Sequence, residues 1–196
     1  IDNIPSVSIN QSQIINTNFD PMVFKYGEEY DLDINVLESA SIINGNNEVT
    51  YLFGIESRGA YGIGLNFNRF FLTENAELYI YDYEQTYYIG SFTNSNNKSN
   101  QTFSTSIVKS EYIILELTAP VNEIKNIKLS IDSIIHDNTD ILNYYNDSSS
   151  ESREDCNINV ICSEGDDWRD QINGAVRVSM GAGLCSASII NNTEND

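Results

Sequence analysis

Apolar and polar side chains alternate along most of the stretch from Tyr30 to Ile135, and this period of two constrains the fold more than any other feature. Residues two apart lie on the same face of a β-strand, so each alternating run predicts a strand with one buried face. Turn clusters separate the runs at intervals of roughly ten residues, a spacing typical of an antiparallel β-sandwich. The predicted buried faces are Val49, Tyr51, Phe53 and Ile55; Leu65 and Phe67; Leu78 and Ile80; Phe103, Thr105 and Ile107; Ile113, Leu115 and Leu117; and Ile127, Leu129 and Ile131.

The composition allows such a domain and excludes several classes of protein. Forty per cent of the 196 residues are hydrophobic, including twelve Tyr and eight Phe, which excludes disorder over the whole chain. Ten Lys and Arg stand against 29 Asp and Glu, and the resulting net charge of -19 repels phosphate backbones, so nucleic-acid binding is excluded. No apolar run approaches the roughly twenty residues that cross a bilayer, so no membrane span is predicted.

A change of composition near residue 143 divides the chain into three parts. Residues 1–142 contain the predicted strands, preceded by a lead-in with an edge strand near Ser6–Ile9. Residues 143–155 are acidic and Ser-rich, and such a stretch predicts a mobile linker because it has little apolar surface to bury. Arg153 is the only basic residue in this linker, which makes it a candidate processing site.

The third part, residues 156–196, has its own pattern. Residues 165–170 predict one helical turn, in which an Asp caps the first backbone N–H groups. Two apolar runs, Ala175–Met180 and Leu184–Ile190, flank Gly181–Gly183 and predict a hairpin. This part also holds the three cysteines, an odd number that leaves one thiol over unless a partner lies elsewhere: Cys156, Cys162 and Cys185.

The motifs of this third part resemble the start of the mature catalytic domain in bacterial lysyl endopeptidase-like proteases of the trypsin fold. The residues that carry the resemblance are Cys156–Asp167, Trp168–Ile172, Ala175–Arg177 and Leu184–Thr193. Upstream runs, among them Ile55–Ala60, Leu65–Phe67, Ala76–Tyr81, Ile89–Thr93 and Glu111–Glu116, resemble the pro-region of the same proteases. The start at Ile1, without Met, fits a secreted protein that has lost a signal peptide or a chain cut by design.

The resemblance implies a secreted endopeptidase precursor that acts through a Ser-His-Asp triad and an oxyanion hole. Residues 156–196 are then the first strands of a chymotrypsin-like β-barrel, and the triad follows later, so no catalytic residue is assigned here. The family pattern pairs Cys156, Cys162 and Cys185 each with a cysteine further along the precursor. The hairpin is accordingly expected to need a partner, either the remainder of the protease domain or a neighbouring copy, because a half-built barrel leaves strand edges open.

Two functions remain open for the β-domain of residues 1–142. As a pro-domain it assists folding of the protease, or masks its cleft, until the linker is cut. As a binding module for carbohydrates or surfaces it stays attached to the mature protein. The position directly before the protease motifs favours the pro-domain.

The lone histidine, His136, stands beside Asp137 at a predicted strand end. No Ser in a nucleophile-type turn accompanies it in the sequence, so a structural role is favoured over catalysis. Several acidic clusters offer oxygen ligands to calcium, but none has the spacing of a calcium-binding loop. Solvated turns are therefore the favoured interpretation, with a surface calcium site as the alternative. No other cofactor is expected. These clusters are Glu28 and Glu29, Asp31 and Asp33, and Glu164, Asp166 and Asp167.

Five tyrosines lie close together in the sequence: Tyr79, Tyr81, Tyr83, Tyr87 and Tyr88. They could form an aromatic platform for a sugar or a peptide. Tyrosine also has a high β-propensity and packs well on a half-buried sheet face. The packing role is the favoured interpretation.

Overall fold

The computed structural model describes residues 4–9, 23–143 and 163–190, and within these ranges the fold is all-β. The strands are β1 Ser6–Ser8, β2 Phe24–Lys25, β3 Gly27–Asn35, β4 Ser41–Asn44, β5 Glu48–Glu56, β6 Ile63–Phe71, β7 Glu77–Asp82, β8 Tyr88–Phe92, β9 Phe103–Ser104, β10 Tyr112–Pro120, β11 Lys128–Asp137, β12 Ala175–Met180 and β13 Gly183–Ser188. The helices are short: α1 Val36–Ser39, α2 Arg169–Gly174, and 3-10 turns at Asn94–Asn96, Ile124–Asn126 and Ser163–Trp168. None of these helices is long and apolar enough to cross a membrane.

The described strands form three sheets. The first has the order β1-β5-β10-β7-β8, with β4 also on β5, and the second has the order β3-β11-β6-β9. The third consists of β12, β13 and β2. The pairings are antiparallel apart from that of β1 with β5, in which Ser6–Ser8 run parallel to Gly54–Glu56. The predicted edge strand near the start of the chain is therefore present, but its direction is the reverse of what an all-antiparallel domain requires.

Side chains from the first and second sheets meet in one buried cluster. The predicted faces contribute most of it, including Phe53, Ile55, Leu65, Phe67, Leu78, Ile80, Ile113, Leu115, Leu117, Leu129 and Ile131. Full burial of each such side chain stabilises the fold by about 1.5–3 kcal/mol. The alternation in the sequence thus predicts correctly the face that β5, β6, β7, β10 and the first half of β11 turn to this core. The predicted Ile107 lies in a second, smaller cluster instead, and Ile114 is buried although it lies on the other face of β10.

A bulge in β11 changes which face its later residues occupy. The register with both neighbouring strands shifts between Ile131 and Ser133. A bulge adds one residue to a strand, so the residues after it exchange faces. Ile134 therefore enters the main cluster, whereas Ile135 points to the opposite face and joins a second, smaller cluster.

One predicted strand is shorter than its alternating run. The run that was expected to continue through Ile107 pairs as a strand only at Phe103–Ser104, because the chain then turns so that Val108 can bridge to Ile63. The hairpin of the third part is present as β12 and β13, and the helical turn is present within Ser163–Gly174. The predicted Asp cap is wrong: Trp168 occupies the N-cap position of α2 without a side-chain hydrogen bond, and Asp166 and Asp167 lie inside the preceding 3-10 turn. The linker residues 144–155, with Arg153, and the cysteines Cys156 and Cys162 lie outside the described residues.

Candidate functional site

The C-terminal hairpin is attached to the β-domain through β2. Gly183 and Leu184 of β13 pair with Lys25 and Phe24. The hairpin turn contains Gly181 at a φ of +57°, a left-handed conformation that glycine adopts most easily. We call the buried cluster beneath this turn the hairpin contact; it consists of Tyr26, Ile107, Ile135, Ile141, Ala182 and Leu184.

Tyr26 is hydrogen-bonded to the hairpin turn through both its backbone and its side chain. Its backbone N–H donates to the Ala182 carbonyl at 3.0 Å, and its phenol donates to the Gly181 carbonyl at 3.0 Å. Burial raises the pKa of the phenol, so the group remains a protonated donor across the physiological range. Ala182 is fully buried against this ring, whereas a hairpin free in solution would expose it.

Asp137 fixes the β-domain side of the hairpin contact. Its carboxylate is almost completely buried and accepts hydrogen bonds from the backbone N–H of Thr139 and of Ile141, both at 2.8 Å. The intervening Asn138 donates its N–H to the Tyr26 carbonyl at 3.0 Å. Asp137 therefore shapes the turn that brings Ile141 against Tyr26.

The rest of the hairpin is open. Its apolar side chains are largely exposed, with Ile189 67% and Ile190 88% accessible, and Val178 and Met180 are also exposed. Beyond Leu184 the outer edge of β13 has no strand partner in the part of the chain that the structure describes. Cys185 is exposed and free, and its expected pairing with a cysteine further along the precursor stays a prediction.

A serine and the lone histidine lie together at this same end of β11, where His136 stands between Ile135 and Asp137. Ser57 Oγ is 2.7 Å from His136 Nδ1, although 79 residues separate the two in the sequence. Ser57 follows β5 directly, where its N–H donates to the Glu111 carbonyl. A cavity of about 340 Å³ at this point is lined by Ile9, Glu28, Tyr30, Ser57, Arg58, His136 and Asn138.

The Ser57–His136 pair fits a structural hydrogen bond better than a catalytic pair with a nucleophilic serine. Burial lowers the pKa of His136, although the carboxylates of Glu28 and Asp137 act in the opposite direction, so the ring is neutral at pH 7. A nucleophilic serine needs an accessible hydroxyl and a ring oriented by a carboxylate. Ser57 is only 2% exposed, and the Glu28 carboxylate accepts from the Tyr30 hydroxyl at 3.2 Å.

Acidification from pH 7 to pH 5 is expected to destabilise the protein through His136. Because the pKa in the folded state lies below the ordinary 6.5, the unfolded chain takes up the proton first, and the free energy of unfolding falls as the pH drops below about 6.5. His136→Asn offers Ser57 an acceptor that does not titrate, so its stability should fall less over this range. Urea unfolding at pH 5, 6 and 7 measures both slopes; equal slopes would contradict the prediction.

A second cavity, of about 290 Å³, lies on the outer face of the first sheet. We call it the aromatic cleft; it is lined by Tyr79, Tyr81, Gln85, Tyr88 and Glu116. Three of the five clustered tyrosines thus share one site. Of the other two, Tyr83 packs edge-on against Tyr112, with ring centroids 5.8 Å apart, and Tyr87 packs against the main core.

Two of the features above could not be found from the sequence. Ser57 was visible only as part of a turn cluster, and no local pattern connects it to His136. Glu116 looked like an ordinary polar position of an alternating strand.

Among the described residues, no group of three or more His, Cys, Asp or Glu side chains converges to hold a metal ion. No protein-family model matches the chain.

Proposed function

We propose that residues 1–142 are the pro-domain in the precursor of a secreted trypsin-like serine endopeptidase, and that the segment from Cys156 onward opens its catalytic domain. The observation that carries the proposal is the hairpin contact. A segment with protease-like motifs is attached to the β-domain by a strand pairing and a small buried cluster. A pro-domain has to make such a contact if it is to assist folding or mask the protease.

In this proposal the two main sheets form a β-sandwich, because both contribute side chains to one buried cluster. The hairpin of β12 and β13 supplies the first strands of a chymotrypsin-like barrel. Its open edge and its exposed Val178, Met180 and Ile189 are what such strands present before the rest of a barrel covers them. The remainder of the protease domain is accordingly the expected partner.

The contact also gives the β-domain a means of assisting folding. An isolated two-stranded hairpin is at best marginally stable in water. The pairing of Gly183 and Leu184 with β2, together with burial of Ala182, holds the hairpin in its paired register. A hairpin held in this way can serve as a template on which later strands add.

Cleavage of the secreted precursor is expected next to Arg153, which leaves a mature protease that begins at Glu154. In Arg153→Gln the basic residue of the linker is lost, so the product should retain residues 1–142 and should mature at least tenfold more slowly, by analogy with the loss of a specificity contact. Mass spectrometry and N-terminal sequencing of the secreted product measure this. Arg58→Gln, a surface change within the β-domain, is the matched control and should mature normally.

The alternative function is a binding module that remains attached to the active enzyme. The observation that favours it is the aromatic cleft on the outer face of the first sheet. If the active secreted protein retains residues 1–142 whether or not Arg153 is present, the pro-domain proposal fails and the module takes its place.

A further inference from the structure

The aromatic cleft is formed by side chains that the strand register places side by side. Tyr79 of β7 stands opposite Glu116 of β10, and Tyr81 of β7 stands opposite Tyr88 of β8. Tyr79 and Tyr81 are two residues apart, so they share one face of their strand. Three phenol rings therefore surround a single carboxylate on the face of the sheet that points away from the main core.

The carboxylate of Glu116 is held in place by a hydrogen bond and has no ion-pair partner among the residues that the structure describes. The Tyr81 hydroxyl donates to Glu116 Oε2 at 2.7 Å. Burial first, and then the hydrogen bond to Glu116 and its charge, raise the pKa of the Tyr81 phenol. The phenol therefore stays protonated and donates to Glu116, and the negative charge remains on the carboxylate. No Lys or Arg of the described residues forms an ion pair with Glu116, which leaves the half-buried carboxylate free to attract a positive group.

The turn between β7 and β8 fixes the open side of the cleft. The buried Asp82 carboxylate accepts from the N–H of Thr86 and of Tyr87, each at 2.7 Å, and from the Thr86 hydroxyl at 2.6 Å. This arrangement presents Gln85 and Tyr88 at the rim of the cleft. Tyr88 is 66% exposed, and its ring centroid lies 6.5 Å from that of Tyr79 at an angle of 58°. The two rings therefore form a tilted wall that a ligand can contact without moving the backbone.

We propose that the aromatic cleft binds a compact organic cation of the ammonium or guanidinium class. Aromatic faces attract such cations within about 6 Å of the ring centroid, and a nearby carboxylate adds a direct charge interaction. The cleft volume of about 290 Å³ lies at the lower end of ligand sites, which suits one side-chain-sized group better than an oligosaccharide. The net charge of -19 further raises the local concentration of cations.

The same chemistry can come from a free cation or from a Lys or Arg side chain of a polypeptide. Both sources are tested on the full chain by NMR titration of its backbone amides. The probes are tetramethylammonium, Nα-acetyl-arginine amide and a short Arg-containing peptide, with the neutral Nα-acetyl-citrulline amide as the isostere. We expect shifts confined to the cleft, a Kd on the order of a millimolar for the cations, and binding of the citrulline probe at least tenfold weaker. Tighter binding of the peptide than of the amide assigns the source to a polypeptide, and equal binding assigns it to a free cation.

Single substitutions in the cleft measure the contribution of the Glu116 charge to cation binding separately from that of the tyrosine rings. Glu116→Gln keeps an acceptor for the Tyr81 hydroxyl but removes the charge, and it should weaken cation binding about tenfold. Tyr88→Leu keeps apolar area but removes the ring face, and it should weaken binding about threefold. Tyr83→Leu changes another exposed tyrosine, one that does not line the cleft; it is the matched control and should bind as the unchanged protein does.

Three outcomes would overturn the proposal. The first is equal binding of the arginine and citrulline probes, and the second is unchanged cation binding by Glu116→Gln. The third is that a neutral oligosaccharide such as maltohexaose shifts the cleft amides while the cations do not, which would make the cleft a carbohydrate site. The proposal is independent of the pro-domain function, because neither the probes nor the readout involves the hairpin contact or cleavage of the linker.

Discussion

An aspartate in place of Ala182 is expected to release the C-terminal hairpin from the β-domain. Ala182 is completely buried in the hairpin contact, beneath the backbone and ring of Tyr26. A carboxylate at this point would lie among apolar side chains in a space that holds a methyl group, and the cost of burying it, about 3 kcal/mol or more, exceeds what so small a contact supplies. The hairpin should therefore undock while the β-domain remains folded.

Hydrogen exchange followed by mass spectrometry measures this directly. Peptides covering β12 and β13 should lose their protection in Ala182→Asp, because a free hairpin is only marginally stable, whereas β5, β10 and β11 should keep theirs. Ala187→Asp introduces the same charge on the exposed part of β13 and serves as the matched control, with a change within about 0.5 kcal/mol. Protection of the hairpin in Ala182→Asp equal to that of the control would show that the hairpin contact does not hold it.

Replacing Asp137 by alanine is expected to cost about 2–5 kcal/mol of the free energy of unfolding. The substitution leaves the N–H groups of Thr139 and Ile141 without their acceptor in a turn that is buried at Ile141 and partly buried at Thr139. Each unsatisfied buried donor costs about 1–3 kcal/mol. For a chain of this size, a loss of that total lowers Tm by roughly 5–15 °C.

Chemical denaturation and thermal melting of two variants test this prediction. Asp132→Ala lies on the same strand but is exposed, with one hydrogen bond from Asn68 at 3.1 Å, so it should lose less than about 1 kcal/mol. Asp137→Asn keeps one acceptor oxygen and should fall between the two. If Asp137→Ala were as stable as Asp132→Ala, the turn of residues 137–141 would not depend on this carboxylate.

The sequence was informative wherever the determining pattern was local. Alternation predicted the buried faces of β5, β7 and β10, and the apolar runs around Gly181 predicted the hairpin, because strand periodicity and turn chemistry act over a few residues. The bulge in β11 was not predictable, since one extra residue in a strand leaves no mark that distinguishes it from ordinary alternation. Its effect on Ile135, which it directs into the hairpin contact, was hidden for the same reason.

The sites were predictable only in part, because they depend on pairing between distant strands. The tyrosine-rich run indicated an aromatic surface, but its carboxylate, Glu116, lies 35 residues from Tyr81 in the sequence. Ser57 and His136 are further apart still, at 79 residues. Such pairs become neighbours only through the order of strands in the sheets, which the alternation of single strands does not specify.

The small size of the hairpin contact has a consequence for any cut between residues 143 and 163. While the chain is intact, the hairpin and the β-domain meet at an effective concentration in the millimolar range, so even a weak contact stays formed at any dilution. After a cut, the same contact becomes an encounter between two molecules and obeys their true concentration. With two paired residues in the ladder and one buried cluster, it would dissociate on dilution. Hydrolysis of a single peptide bond would then release the hairpin from the β-domain without any change in the residues of the hairpin contact.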